Sequence, residues 1–354
     1  MPEFIYPFVF PEDDRLQIRG SLELEKPLPY SQKNGGSGFY RPARIVLDNG
    51  IDLELVLYHN DATAEFIYLR TCKKDANLLE IIGLSREEIQ AIHTLTLPGQ
   101  LYMGSARSRL IAQAIDEVFY APPLSQSIAA YRQHHLAVFP IAREGLKYQV
   151  AEALFENYGY YCDEVVLDAH HVFDSSVPLY NRKVEFTIFK DKDLDDHQRE
   201  NIAVAFIADS IASGIVMREV IAKVKERFDH IQRVEVIAPF ATLRGLSRIA
   251  RLERGRHVAT RVHVFETLLN ALPPDFYYSA HFDIPEFHIC PELEADYRRW
   301  WGEDGNGNAI ADTACAGYGW SEVFFSPRRQ IGMINSELGA RHQMSILDII
   351  RRNI

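Results

Sequence analysis

Along the middle of the chain, short apolar runs take turns with apolar residues spaced at the helical period. Ala205-Phe206-Ile207-Ala208 reads as a buried strand. Met217, Val220, Ile221 and Val224 then fall at i, i+3, i+4 and i+7, the spacing of one helix face over 215–227. The same alternation predicts a helix over Arg109 to Phe119, a strand over Leu136 to Ile141, and a helix opened by Arg143-Glu144-Gly145 whose Leu146, Val150, Ala153 and Leu154 share a face. A strand over Glu164 to Asp168, a hairpin through Val184 to Phe189, a strand over Val234 to Ile237, a helix over Leu243 to Ala250 and a strand over Val262 to Phe265 continue the series. Strands alternating with helices argue for an α/β fold with a doubly wound, mostly parallel sheet.

The first 97 residues follow a different pattern. Asp48-Asn49-Gly50 between Arg44-Ile45-Val46-Leu47 and Leu53 to Tyr58 predicts a hairpin, and Ala64 to Leu69 reads as a further strand. Tyr30 to Gly38, rich in glycine and small polar residues, reads as a surface loop. The pattern therefore divides the chain into a β-rich N-terminal extension over 1–97, an α/β core over 98–270, and a less regular C-terminal region over 271–354. That last region ends in a helix with Ile346, Ile349 and Ile350 on one face.

Composition narrows the function classes. Lysine and arginine number 38 against 49 acids, a formal charge of −11, so the broad basic footprint of a nucleic-acid binder is absent. One small anion needs only a local cluster of donors, and such a ligand stays open. No apolar stretch approaches a membrane span, and Met-Pro-Glu-Phe-Ile-Tyr-Pro does not read as a signal peptide, so no membrane association and a cytoplasmic location are expected. Cys72, Cys162, Cys290 and Cys315 form no CxxC pair and are expected as reduced thiols rather than a zinc set. His170-His171, adjacent on a strand, point to opposite faces and cannot share a metal.

Two turns carry the candidate chemistry. Asp209-Ser210-Ile211-Ala212-Ser213-Gly214 joins a strand end to a helix start, where free amides and the helix dipole make an anion cradle with a carboxylate beside it. Ile141-Ala142-Arg143-Glu144-Gly145, the first of the two in chain order, is likewise a strand-to-helix turn. Arg143 offers a guanidinium fork there, and Gly145 allows close backbone approach. Both turns are expected at the carboxyl edge of one sheet. A third turn, Pro239 to Gly245, has Thr242 as a natural N-cap.

These two turns resemble those of the type I phosphoribosyltransferases, nearest to the uracil phosphoribosyltransferase branch. Ile207-Ala208-Asp209-Ser210-Ile211-Ala212-Ser213-Gly214 looks like the family's phosphoribosyl pyrophosphate motif, in degenerate form, and Arg143-Glu144-Gly145-Leu146 like its pyrophosphate turn. Two positions depart from the pattern: Ala208 replaces the first of two acids, and Val216 stands where a hydroxyl is usual. The resemblance implies transfer of a phosphoribosyl group from phosphoribosyl pyrophosphate to a nucleobase or similar small acceptor, with release of pyrophosphate. Asp209 and Arg143 would carry the catalytic work. Ala212, Ser213, Gly214, Ile215 and Val216 would hold the sugar phosphate, Arg143, Glu144 and Gly145 the pyrophosphate, and Gly317, Tyr318 and Gly319 of the C-terminal hood the acceptor. Mg2+ would bind through the ligand rather than a protein metal site. The hairpin over 172–194 would cover the site. The family's frequent pairing implies a homodimer. The lost acid equally suits a protein that senses the nucleotide or phosphoribosyl pyrophosphate on the same fold without chemistry.

Overall fold

The structure is a computed structural model and describes residues 2–11, 17–72, 75–102, 104–142, 144–176, 182–192, 194–252, 258–269, 287–312 and 326–354. An antiparallel group opens the chain: β1 (Phe4–Pro11), β2 (Gln17–Leu24), β3 (Leu28–Ser31), β4 (Ser37–Leu47) and β5 (Asp52–His59). Next come α1 (Asp61–Ile67), α2 (Ala76–Ile82) and α3 (Arg86–Ala91), with the short pair β6 (Leu69–Cys72) and β7 (Leu95–Pro98). Helices α4 (Gly104–Tyr120) and α5 (Pro122–Ala129) lead into β8 (Leu136–Pro140), α6 (Val150–Tyr158), β9 (Asp163–Glu164), the hairpin of β10 (Leu167–Phe173) and β11 (Arg182–Phe189), and α7 (Asp196–Asn201). Then follow β12 (Val204–Ala208), α8 (Ile215–Arg227), β13 (Arg233–Ile237), β14 (Ala241–Thr242), α9 (Leu243–Ala250), β15 (Ala259–Phe265), β16 (Thr267–Leu269) and β17 (Phe287–His288). Helices α10 (Pro291–Trp301), α11 (Pro327–His342) and α12 (Ile346–Arg352) complete the described chain.

The central sheet has ten strands. Its order is β1-β2-β4-β5-β15-β13-β12-β8-β9, with β3 paired to β4, and the strands from β5 to β9 are parallel. Because β5 pairs with β15, the N-terminal strands continue the α/β sheet without a break. Side chains alternate across it as the period of two demands. Val204, Phe206, Ala208 and Val138 join one core with α1, α4, α5 and α6, whereas Ala205, Ile207, Ala137 and Phe139 join a second core with α8 and α9. Helices thus cover both faces of the parallel strands, as the α/β reading requires. Among the described residues no helix is long and apolar enough to cross a membrane.

Three local expectations are corrected. Ala64 to Leu69 is not a strand. Asn60 and Thr63 form a reciprocal capping box at 2.8 and 2.9 Å that starts α1 at Asp61, and only Leu69 onward is extended. The helix expected from Arg143 begins at Val150, because Gln149 adopts φ +54° and ends a single 3₁₀ turn over Gly145–Lys147. The strand expected over Glu164 to Asp168 divides: Asp163 and Glu164 pair with β8, while Lys190 N donates to Val166 O and draws the rest into the hairpin.

One polar ladder lies inside the first core. Tyr58 Oη and His263 Nδ1 are 2.8 Å apart, His263 Nε2 and Glu235 Oε2 2.8 Å, and Glu235 Oε1 accepts from Arg233 Nε at 2.6 Å and Ser127 Oγ at 2.7 Å. The ladder ties together β5, β15, β13 and α5. Burial pushes the Glu235 carboxyl up, but the His263 hydrogen bond and the charges of His263, Arg233 and Arg261 outweigh it and hold the group at about 2, below its ordinary 4.5. Burial lowers the His263 imidazole from its ordinary value, opposed by its hydrogen bond to Glu235 and by the Glu235 charge. A depressed carboxyl contributes stability above its unfolded pKa and loses it as pH falls through the folded one. Unfolding monitored by circular dichroism should therefore show stability falling from about pH 4.5 toward about 2. Glu235→Gln, which strands buried partners, should cost about 3–5 kcal/mol at neutral pH and flatten that acid limb. An unchanged acid limb in the variant would show that the ladder does not carry this stability.

Candidate functional site

Strand β8 lies between β9 and β12, so the chain runs outward to β9 and then crosses back over β8 to continue through β12, β13 and β15. The order of the parallel strands reverses between β8 and β12, and the carboxyl ends flanking such a switch are where open α/β sheets bind ligands. Both turns singled out in the sequence open there. Ala208 sits level with Pro140 of β8 and Ile237 of β13, and Asp209 is the first residue beyond the strand.

Backbone packing joins the first turn to the second. Ile141 N donates to Ala208 O at 3.2 Å, and a Cβ on Gly145 would stand 2.0 Å from that same carbonyl oxygen. Only a residue without a side chain fits. Beneath the contact, Glu144 is 1% exposed, and its Oε1 accepts from Tyr148 Oη at 2.5 Å and Ser210 Oγ at 2.7 Å. Burial raises the Glu144 carboxyl, opposed by those two hydrogen bonds and by the charge of Arg107. Arg107 is itself fully buried, with its guanidinium 5.4 Å from the Phe66 ring centre. Burial also raises Tyr148, and the Glu144 charge adds to it. The Glu144 carboxylate is therefore turned inward as a tie between the turns, and it presents no oxygen to a pyrophosphate.

The second turn is fastened on its other side to the third. Ile211 N donates to Phe240 O at 2.8 Å, Thr242 N to Ile211 O at 3.0 Å, and Thr242 Oγ1 to Ala212 O at 2.6 Å. Thr242 caps α9 as expected, accepting from Gly245 N at 3.0 Å. Arg248 of α9 donates to the Ser213 carbonyl. Gly214 adopts φ +76°, and a Cβ there would lie 2.2 Å from Gly245 O. Helix α8 then starts at Ile215 after its N-cap Gly214, and the positive end of its dipole lies at this turn.

The expected site residues fall into three groups. Asp209, Ala212 and Val216 are half-buried at the rim, and Asp209 Oδ1 accepts from Ser210 N at 2.9 Å. Ser213, Gly214, Ile215, Glu144 and Gly145 are buried, and Ser213 Oγ accepts a long 3.4 Å bond from Ile215 N. Arg143, Gly317, Tyr318 and Gly319 lie outside the described residues. The hairpin of β10 and β11 starts beside the first turn, where Ala142 N donates to Leu167 O at 2.5 Å. Two surface clefts, one lined by Tyr68, Thr71, Thr96 and Trp300 and another by Glu54, Ile249, Leu252 and Ala259, share no residue with the rim.

Sequence reading missed a second group on this edge. His59 ends β5, Glu266 follows β15, and Cys290 precedes α10. Their ligand atoms all lie within 4.8 Å of one another. His59 Nδ1 is 2.9 Å from Glu266 Oε2 and 3.2 Å from Cys290 Sγ. No motif spacing links residues 207 and 231 positions apart. The one local signal was an acid at a strand end, the same that marked Asp209. No protein-family model matches the chain, and no curated protein matches its sequence.

The glycine contact makes a direct prediction. Gly145→Ala must push its methyl into the Ala208 carbonyl, so it should destabilise the fold by about 1–3 kcal/mol, as overpacking does. Gly305→Ala meets nothing within 4 Å and should change stability by less than about 0.5 kcal/mol. Thermal melts of both variants check this, and equal melting temperatures would contradict the contact.

Proposed function

We propose that the chain is a phosphoribosyltransferase-like protein. It would bind phosphoribosyl pyrophosphate at the rim between β8 and β12 and transfer the phosphoribosyl group to a nucleobase or similar small acceptor. The observation that carries this reading is the meeting of the two turns across the strand-order switch, with Gly145 against the Ala208 carbonyl. A ligand with an anionic group at each end suits two adjacent strand-to-helix turns better than a single phosphate does. Counted from β8 onward, the strands β9-β8-β12-β13-β15 stand in the order 2-1-3-4-5, with the earlier parallel strand β5 added beyond β15, and the switch lies between the first and third of the five. That order is consistent with the family's fold.

In this reading the amides of Ala212 to Val216 and the start of α8 hold the sugar phosphate. The long Ser213 Oγ to Ile215 N bond is weak enough for a phosphate oxygen to displace. Asp209, half-buried and steadied by Ser210 N, accepts hydrogen bonds from the ribose hydroxyls. The segment around Gly145 holds the pyrophosphate, and the β10–β11 hairpin covers the site against water. As the bond from the anomeric carbon to pyrophosphate breaks and the bond to the acceptor nitrogen forms, positive charge grows on the ring. Fixed dipoles and Asp209 stabilise that charge without reorganising.

Mg2+ fits this rim. Phosphate and water oxygens are the set the ion prefers, so it would bind through the ligand, and Glu144, held inward by Tyr148 and Ser210, does not compete for it. When bound it would neutralise the pyrophosphate oxygens. A second reading, a sensor that binds the same ligand without chemistry, draws on Ala208. That side chain is fully buried in the core beneath Asp209, which leaves one acid where the family pattern has two.

Calorimetry with phosphoribosyl pyrophosphate and Mg2+ tests the reading. The wild type should bind, and Asp209→Asn should weaken binding by about tenfold or more, the loss of one charged hydrogen bond. Absence of binding by a folded wild type would overturn the proposal. Pyrophosphate release with a nucleobase panel would assign catalysis, whereas binding without release would assign the sensor.

A further inference from the structure

We propose that His59 Nδ1, the Glu266 carboxylate and the Cys290 thiolate bind a zinc ion at the carboxyl ends of β5 and β15. The site is separate from the rim and does not depend on its reading. The pair β5 and β15 begins two strands from β12, about 10 Å away across the sheet.

Both neighbours of His59 converge on one nitrogen. Glu266 Oε2 and Cys290 Sγ lie 2.9 and 3.2 Å from the same Nδ1. A catalytic thiol–imidazole–carboxylate relay needs the thiol on one ring nitrogen and the carboxylate on the other, so this geometry does not serve as one. Three unlike donors gathered this closely do suit a metal. With zinc bonds of about 2.0–2.3 Å, tetrahedral ligand atoms sit about 3.3–3.7 Å apart, and the three atoms here, within 4.8 Å of one another, need only small shifts. Nitrogen, thiolate and carboxylate together favour zinc over magnesium or calcium, which take oxygen ligands.

The donors are held in place by their surroundings. Thr63 Oγ1 donates to Glu266 Oε1 at 2.5 Å, leaving Oε2 for the centre. Such outer-shell bonds fix ligand orientation. Glu266 has φ +59°, a left-handed backbone that costs a non-glycine residue about 1–3 kcal/mol. The strain is maintained by Glu266 N donating to Tyr58 O at 2.9 Å and Ile289 N donating to Glu266 O at 3.0 Å. The Phe39 ring, 4.7 Å from the His59 ring, packs on the imidazole. Glu266 and Cys290 are buried, whereas His59 keeps 22% of its side chain exposed, so the ion enters from the His59 side and a fourth coordination position faces out there. On binding, the protons of Sγ and Nδ1 pass to solvent and the metal takes their place.

The test uses the full chain stripped of metal by chelator and titrated with Zn2+ and, separately, Co2+. One equivalent of zinc should bind. The cobalt form should show tetrahedral visible bands and a near-ultraviolet thiolate-to-metal charge-transfer band. His59→Gln should weaken zinc binding at least about tenfold, and Cys290→Ser should abolish the charge-transfer band, with circular dichroism verifying that each variant is folded. Substoichiometric zinc binding by the folded wild type, a wild-type cobalt spectrum without the thiolate band, or wild-type affinity in both variants would overturn the assignment. The wild-type spectrum decides the matter even if a variant fails to fold.

Discussion

The candidate site depends on one backbone contact, the approach of Gly145 to the carbonyl of Ala208. Parallel strands on their own leave their outgoing turns free to diverge, since each turn leads to a helix on one face or the other. Here the first turn is pressed onto the end of β12, and the second turn is pressed through Gly214 onto Gly245 of the third. Two close approaches therefore make one continuous rim from three separate loops. A Cβ at either position would meet a carbonyl oxygen at 2.0 or 2.2 Å and force the loops apart, so the rim in this form depends on the chain having no Cβ there.

Buried polar groups reinforce this arrangement at a level that packing alone does not reach. Glu144, Tyr148 and Ser210 form a closed set of short hydrogen bonds directly under the Gly145 contact. A buried carboxyl is costly unless its oxygens are used, and here Oε1 accepts from two hydroxyls contributed by both turns. The Tyr58–His263–Glu235 ladder does the same for the sheet beneath, joining β5 to β15 and β13. Because β5 carries His59 at its end and β15 precedes Glu266, that ladder also fixes the spacing of the His59–Glu266–Cys290 group. Both candidate sites thus rest on polar contacts made within the protein itself, through Glu144 Oε1 at the rim and the Tyr58–His263–Glu235 ladder beneath the second group.

Much of the α/β frame was legible in the sequence because its signals are local. The strand–helix alternation from Leu136 to Phe265, the 3.6-residue stripe of α8 and the N-cap at Thr242 need only neighbouring residues to be read. The errors arose where a few residues of short-range chemistry overrode the apolar pattern. Asn60 and Thr63 turned an apparent strand into α1, and Gln149 in a left-handed conformation delayed α6 by a turn. Contacts between distant residues left no trace. The inward turn of Glu144 follows from Ser210, 66 positions away, and the convergence of His59, Glu266 and Cys290 follows from the placement of β5 against β15. Periodicity along the chain carries no information on either.

The same alternation bears on the missing acid. Val204, Phe206 and Ala208 share the side of β12 that faces the first core, and Asp209 is the first residue beyond the strand. An acid at 208 on this backbone would have to be buried beside Val138 and Phe206, where a charge without partners costs several kcal/mol. Alanine is therefore the residue the packing calls for, and its presence is first a consequence of the core. The rim is left with Asp209 as the carboxylate its second turn offers. In the proposed reading, binding would need that group to hold the ribose, whereas transfer would also need it to hold the anomeric carbon in line between leaving group and acceptor. The proposed enzyme and the proposed sensor would share one cradle and differ in how tightly Asp209 fixes the sugar within it.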